Sequence, residues 1–235
     1  MTKAVVEAIE VAKVLGSGAG QVQALRGVTI SVKGGELALL MGPSGSGKTT
    51  LLSVLGCMLK PTSGTICVQG HSTEGASAEE LAKLRRDNVG FVFQSYHLFP
   101  TLNATDNVRL ALDIRDQRIK AAVAKAKDAL AEVGLSHKTR SYPNELSSGE
   151  QQRVAIARAI VGNASAILAD EPTAALDSEN GRAIMMILSK ISKDRSRGVL
   201  VVTHDARLLP FADRVIHLED GRIIREEGKR AASHQ

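Results

Sequence analysis

The sequence predicts an α/β fold: a mostly parallel sheet, preceded by an N-terminal antiparallel β segment and interrupted by an inserted helical segment. Three observations predict it. Short runs that are apolar throughout, at residues 37–41, 166–169 and 199–202, have the pattern of parallel strands buried on both faces. Residues 5–11 and 28–32 instead alternate apolar with polar, as strands with one wet face do. The stretch from about 95 to 162 has helical periodicity and separates the first apolar run from the last two.

Taken in order, Lys33-Gly34-Gly35 turns the chain into the run 37–41, which feeds a glycine-rich loop. Residues 49–59 are apolar nearly all round and predict a buried helix that Lys60-Pro61 ends, since proline has no N–H to donate and clashes with the preceding turn. Ser77 and Glu80 have capping-box spacing and open a short helix. A strand at 90–93 then delivers Gln94 to its end. Ala- and Lys-rich residues 116–133, closed by Gly134, predict an amphipathic helix, and residues 149–161 predict another. A helix at 179–193 connects the last two apolar runs. With no repeat, linker or second copy of its motifs, the chain reads as one domain, 1–235, holding a helical subdomain at about 95–162.

At 43 % hydrophobic and 23 % charged residues, the composition is that of an ordinary globular protein. No apolar stretch approaches the roughly 20 residues of a membrane span, and the longest candidate, 51–59, is interrupted by Gly56. The N-terminus meets an acid at Glu7 and lacks the apolar core and cleavage pattern of a secretory signal, so a cytoplasmic location is expected. Cys57 and Cys67 lie in apolar company and read as buried, reduced thiols. The net charge is +5, but basic residues are interleaved with acids, as in 79–87. With 3 % aromatic residues and no Trp there is little on which bases could stack, so nucleic acid is not an expected partner.

The run Gly42-Pro43-Ser44-Gly45-Ser46-Gly47-Lys48-Thr49 stands between a buried strand and a helix. That arrangement aims backbone N–H groups and a helix N-terminus at phosphate oxygens, the construction of a P-loop nucleoside triphosphatase with a RecA-like sheet. Glycine at 42, 45 and 47 permits turns and close approaches that a Cβ would block. Lys48 is the mobile cation for the β and γ phosphates; at an effective dielectric of about 20, a charge about 4 Å away is worth roughly 4 kcal/mol before desolvation. Thr49 offers its hydroxyl to Mg²⁺, and Thr50 ends the nucleotide-binding run, its side chain expected to pack. The strand 166–169 ends in Asp170-Glu171. Asp170 can hold Mg²⁺ through water, and Glu171 is placed to polarise an attacking water. His204, after the run 199–202, falls on the same carboxyl edge, where parallel α/β sheets bind ligands. Gln94, at another strand end, can reach Mg²⁺ or the water. Taken alone, either of these two also fits a polar loop residue.

The stretch Leu146-Ser147-Ser148-Gly149-Glu150-Gln151-Gln152-Arg153 resembles the signature motif of ATP-binding cassette (ABC) ATPases. The resemblance runs the length of the chain: the glycine loop, Gln94 as the Q-loop glutamine, the signature, Asp170-Glu171 as the Walker B pair, Ala174-Ala175-Leu176-Asp177 as the D-loop, and His204 as the switch histidine. It implies hydrolysis of ATP with Mg²⁺ and a catalytic role for Lys48, Glu171 and His204. Ser147 and Glu150 also have capping-box spacing, which exposes free helix N–H groups to an anion. The resemblance implies that this anion is the phosphate of ATP held by a second copy. Ser147, Ser148, Gly149 and Glu150 would then act in trans, in a head-to-tail dimer with two shared sites.

Within the family the sequence is most similar to the macrolide-exporter, lipoprotein-releasing and heterocyst-glycolipid-exporter branch. The similar stretches are Leu55-Gly56-Cys57, residues 84–98 and 168–178, and the Gly-rich insert before Gln21. That branch implies export or extraction by a permease with a large extracytoplasmic domain, often with a periplasmic adaptor. The ATPase would then be peripheral on the inner face of the membrane, with residues 95–100 and the helical insert docking on the permease. A regulatory pair controlling cell-wall hydrolysis without transport, an amino-acid-type importer and a soluble cassette ATPase are the alternatives. Ala169 stands where amino-acid importers usually have Phe, the stretch after Gly221 is shorter than in sugar importers, and soluble members usually fuse two cassettes. The sequence departs from the family pattern at two places. Val14-Leu15 stands where relatives place an aromatic ring on adenine, a difference of about 0.5–1.5 kcal/mol in stacking. Ser148 replaces a glycine, and its side chain either crowds the partner's nucleotide or points to solvent.

Overall fold

The computed structural model describes residues 3–114 and 121–228. The chain opens with two long antiparallel strands, β1 (Ala4–Leu15) and β2 (Val22–Lys33). Both outrun their alternating cores. β1 continues past Val11 because Glu10 takes a φ of 50°, a bulge that shifts the register and lets pairing resume out to Leu15 opposite Val22. The fully buried β3 (Leu37–Met41) leads through the glycine loop into α1 (Lys48–Leu55). β4 (Ser63–Val68) and β5 (His71–Ser72) complete a four-stranded antiparallel sheet in the order β2-β1-β4-β5. In α2 (Ala78–Asn88) the capping box forms: the Glu80 N–H donates to Ser77 Oγ, and the Ser77 N–H donates to the Glu80 carboxylate at 2.7 Å.

After β6 (Val89–Val92) come α3 (Ala104–Asp113), α4 (Ala122–Glu132) and α5 (Ser148–Ile160), the helical insert. The chain then returns through β7 (Ala166–Asp170), α6 (Ser178–Ile191), β8 (Gly198–Val202), β9 (Arg214–Glu219) and β10 (Arg222–Gly228). The second sheet has the order β10-β9-β3-β8-β7-β6 and is parallel throughout except for β10. It has a core on each face. Leu37, Leu39, Val199, Val201, Ile167 and Ala169 point toward α3 to α6, and Ala38, Leu40, Leu200, Val202, Ala166 and Leu168 point toward α1 and the antiparallel sheet. Burial on both faces is why these strands are apolar at every position.

Several boundaries differ from those the sequence suggests. α1 ends at Leu55, before Lys60-Pro61, because Gly56 lies so close under Phe91 and Leu168 that a Cβ there would meet the Phe91 ring at 2.9 Å. Cys57 then turns left-handed at φ 53°, and the N–H groups of Met58 and Leu59 both bond back to Ser53 O. The expected helix 116–133 is α4, starting at Ala122; residues 116–120 of that expectation lie outside the described residues. The helix α3 was not expected, nor were β4, β5, β9 and β10. Both cysteines are free, but only Cys57 is buried; Cys67 is half-exposed on β4.

Candidate active site

The carboxyl ends of β3, β6, β7 and β8 open into a cleft of about 780 Å³. Its floor is the glycine loop and the first turn of α1. Gly42, at φ 155°, rests against the backbone of Leu218, where a Cβ would meet the carbonyl oxygen at 2.0 Å. Gly47, at φ 100°, is packed in the same way on Ala24 O, at 2.4 Å. Gly45 needs glycine for a different reason. Its φ is 80°, but none of the described residues lies within 4 Å of its Cβ position, which faces open space, and the residue lines the cleft.

The first N–H of α1 to find a backbone partner inside the turn is that of Leu51, bonded to Gly47 O at 2.8 Å, so the N–H groups before it are available to an anion. The Lys48 ammonium folds back over the loop and donates to Gly42 O at 2.8 Å and Pro43 O at 2.7 Å. Of the expected loop residues, Ser44, Gly45, Gly47, Lys48, Thr49 and Thr50 line the cleft, while Gly42, Pro43 and Ser46 do not. Thr50 was expected to pack away and instead faces the cleft. Gly42 and Ser46 are below the floor: Ser46 is 3 % exposed, its Oγ has no hydrogen-bond partner among the described residues, and its carbonyl accepts from the Gly221 N–H at 3.0 Å.

One side of the cleft is acidic. The hydroxyl of Thr49 is 3.4 Å from Asp170 Oδ1, a long contact that leaves room for both oxygens to turn toward a shared cation. Burial behind Thr49 raises the Asp170 pKa, outweighing the pull of the Thr49 hydrogen bond and of Lys48, while the Glu171 charge beside it raises it further. Hard oxygen donors of this kind, one of them an anion held partly out of water, suit Mg²⁺, which keeps waters and phosphate oxygens as its remaining ligands. Glu171 takes a φ of 45°, uncommon for a residue with a side chain, and is held there by its N–H to Val202 O at 3.0 Å. That twist turns its carboxylate to the Nδ1 of His204, 2.7 Å from Oε1. Gln94 is exposed at the end of β6 and lines the same cleft.

The signature residues and Asp177 lie away from this cleft. Ser147 caps α5, its Oγ accepting from the Glu150 N–H, and its own N–H donates to the Glu150 carboxylate at 2.9 Å. These bonds lower the Glu150 pKa, with Lys138 at 3.6 Å adding to the effect. Ser148 is exposed on the surface of the single chain. Gly149 is buried within its own chain: a Cβ there would meet Asn180 Oδ1 at 2.6 Å. Asn180 is in turn held by Asp177, which caps α6 by accepting the Asn180 N–H at 2.8 Å and the side-chain amide at 2.7 Å. The N-termini of α5 and α6 are thereby joined through a residue that sequence reasoning passed over.

It also passed over the wall facing the glycine loop. Leu15, the one residue anticipated there, is joined by Val22, Gln23, Ala24 and Arg26 from β2 and by Asp220 and Gly221 from the β9–β10 turn. Only strand pairing brings these together, and no local motif marks them.

The family model for the ABC transporter matches residues 25–174. The chain is 45 % identical over 214 residues to an uncharacterized ABC transporter ATP-binding protein, MJ0796, of Methanocaldococcus jannaschii, covering 88 % of this chain and 89 % of that one. It is 44 % identical to the macrolide export ATP-binding/permease protein MacB of Rhodopseudomonas palustris, covering 88 % of this chain but spanning only 32 % of that protein. Among solved structures, the dimeric post-hydrolysis state of the MJ0796 cassette bound to ADP and Pi superposes with a TM-score of 0.87 at 41 % identity, covering 96 % of this chain and 99 % of that one. The cbiO1 structure from Clostridium perfringens gives 0.84 at 28 % identity, covering 96 % and 88 %. Among the described residues no helix is long and apolar enough to cross a membrane. With its glycine loop, its strand-end carboxylates and these matches in hand, the chain belongs to the ABC transporter family, as an ATP-binding and ATP-hydrolysing subunit.

Proposed function

We propose that this subunit powers a membrane permease of the export or extraction type, working as a head-to-tail dimer in which each copy's signature helix closes over the other's nucleotide. The observation that carries the catalytic part is the Glu171–His204 contact at 2.7 Å, at the mouth of a cleft floored by the glycine loop. Lys48 leaves the carbonyls of Gly42 and Pro43 for the β and γ phosphates, and the N–H groups of the loop and of α1 cradle them. Glu171 polarises the attacking water and takes its proton, while His204 holds the carboxylate in line. Thr49 and Asp170, with Gln94 at the edge, would hold Mg²⁺, which supplies Lewis-acid stabilisation of charge on the phosphate oxygens. Ser147 to Glu150 offer the partner's phosphate the free N–H groups at the start of α5.

The export assignment is supported by the likeness to macrolide export ATP-binding/permease proteins, in which cassette and permease share one chain. Docking of the helical insert on that permease is supported by a groove between Phe91, Phe93, Phe99 and Ile114, beside the loop 95–100. Arg158 clamps that loop, donating to Tyr96 O at 2.7 Å and His97 O at 2.5 Å. Such a subunit sits on the cytoplasmic face of the membrane, and its permease has a large extracytoplasmic domain, with a periplasmic adaptor as a further partner. The test is purification of the native complex from membranes. Recovery of a permease with a large external domain is the expected result. An importer permease with its solute-binding protein, or no permease at all, overturns the assignment.

A further inference from the structure

The His204 side chain is 71 % exposed, so packing does little to place its ring and the loop that carries it must do so. That loop is fastened from the far side of the ring. The Asp205 N–H donates to the hydroxyl of buried Thr203 at 3.1 Å, and the Asp205 carboxylate caps a short 3₁₀ helix, Ala206–Phe211, by accepting the Arg207 N–H at 2.9 Å. The Arg207 guanidinium grips the same carboxylate twice, Nε to Oδ1 at 2.9 Å and Nη2 to Oδ2 at 2.8 Å. Its remaining amino group, Nη1, reaches over to the first residue of α6 and donates to Ser178 Oγ at 3.0 Å. Between loop and helix lies a cleft of about 350 Å³, lined by Leu176, Ser178 and Arg182 on one side and by Asp205, Leu208 and Phe211 on the other. Side chains leave that gap open, and the guanidinium bridges it. Its anchor is firm, because Ser178 follows Asp177, which caps α6 and holds Asn180 against Gly149.

We propose that Arg207 is a positioning residue for hydrolysis: by tying the loop at Asp205 to Ser178, it sets the place of His204 and so the line of the Glu171 carboxylate. The proposal rests on the catalytic reading of the Glu171–His204 pair and adds the residue that holds the pair in register. The His204 Nδ1 is 2.7 Å from Glu171 Oε1, so a drift of the loop by about 1 Å takes that contact beyond hydrogen-bond range. A misplacement of that size is enough to slow a reaction without changing how substrate binds. Arginine suits the task because its planar fork points N–H groups at the carboxylate and at the hydroxyl together. The ammonium of a lysine is a compact point charge on a flexible stem and cannot hold both partners where they stand. Arg207 is 73 % exposed and contributes little to global stability, which makes its effect on the loop separable from an effect on folding.

The test is steady-state ATP hydrolysis by the full chain with Mg²⁺, beside thermal melting of each variant. Arg207→Ala is expected to lower kcat by about tenfold with KM within about twofold of the wild type. Its melting temperature should stay within about 2 °C. Arg207→Lys should fail to restore the rate. Ser178→Ala removes only the far end of the bridge and is expected to lower kcat by about threefold, while the double variant should be no slower than Arg207→Ala alone, because both changes cut one link. An unchanged kcat in Arg207→Ala overturns the proposal. So does a raised KM at constant kcat, which would make Arg207 a nucleotide contact, or a loss of rate that follows a large fall in melting temperature. Losses that multiply in the double variant, or a silent Ser178→Ala, also overturn it, since Arg207 would then act by another route. Glu171→Gln hydrolysing ATP as fast as the wild type would instead remove the catalytic reading of the pair, a separate result.

Discussion

Asp170 holds its charge against the fold. Burial raises its pKa above the ordinary value of 3.8, so the native state binds more protons than the unfolded chain in the window between that value and the raised one. Stability therefore falls as pH rises through the window, and at neutral pH the full cost is present. Asp170→Asn is expected to raise the melting temperature of the ligand-free protein at pH 7, by about 2 °C, with the gain shrinking as pH is lowered toward the window. Calorimetry at two pH values checks this, and the same variant should lose Mg²⁺-dependent hydrolysis. Glu171 has a different vulnerability. Glutamine can keep the 45° φ and the contact to His204 but cannot take a proton, so Glu171→Gln should lower turnover by about 10² to 10⁴ while nucleotide still binds, as a phosphate-release assay beside a binding isotherm would report.

These residues are legible in the sequence because each is a neighbour along the chain of what it serves. Asp170 and Glu171 end an apolar strand, and Lys48 follows a glycine loop. Arg26 and Asp220 are not legible. Each reaches the cleft only through the pairing of β1 with β2 and the docking of the β9–β10 turn, both long-range events.

Among the elements, α5 ties its own stability to a neighbour. Gly149→Ala should gain about 1 kcal/mol of helix propensity and lose about as much when the added methyl displaces the Asn180 amide from Asp177. The melting temperature is expected to stay nearly level while ATP hydrolysis falls, because the displaced asparagine disturbs the helix N-terminus that must accept a phosphate. A large fall in melting temperature with hydrolysis intact would contradict that account. Capping boxes are the elements most readable from sequence, and both those at Ser77 and Ser147 form as the spacing requires. α3 has a capping residue too, Asn103, whose side chain accepts the Asp106 N–H at 2.9 Å. It escapes notice because Thr105, Asp106 and Asn107 are poor helix formers. Asn107 is there for another purpose: fully buried, its amide bonds Phe99, Leu102 and Asn103 and fixes the chain entering the insert.

At the scale of the whole molecule, hydrolysis and assembly are one property if the signature helix acts in trans. Gel filtration of Glu171→Gln with ATP and Mg²⁺ should therefore give a dimer that the wild type does not keep through turnover. A monomer under both conditions would mean that the isolated subunits do not form a sandwich. The overall architecture was readable because strands buried on both faces are apolar at every position, a pattern no exposed segment imitates. The order of those strands was not, since β3 pairs with two strands that lie far along the chain.

That order has a consequence for how the protein is made. The strand that launches the glycine loop, β3, has β8 on one side and β9 on the other, and Gly42 rests on Leu218. A chain emerging from the ribosome at about 5–20 residues per second has completed its glycine run long before either neighbour exists. During that interval the run has no bed to lie in and its lysine no carbonyls held in place. The bed of the glycine run is complete only once residue 218 has been translated.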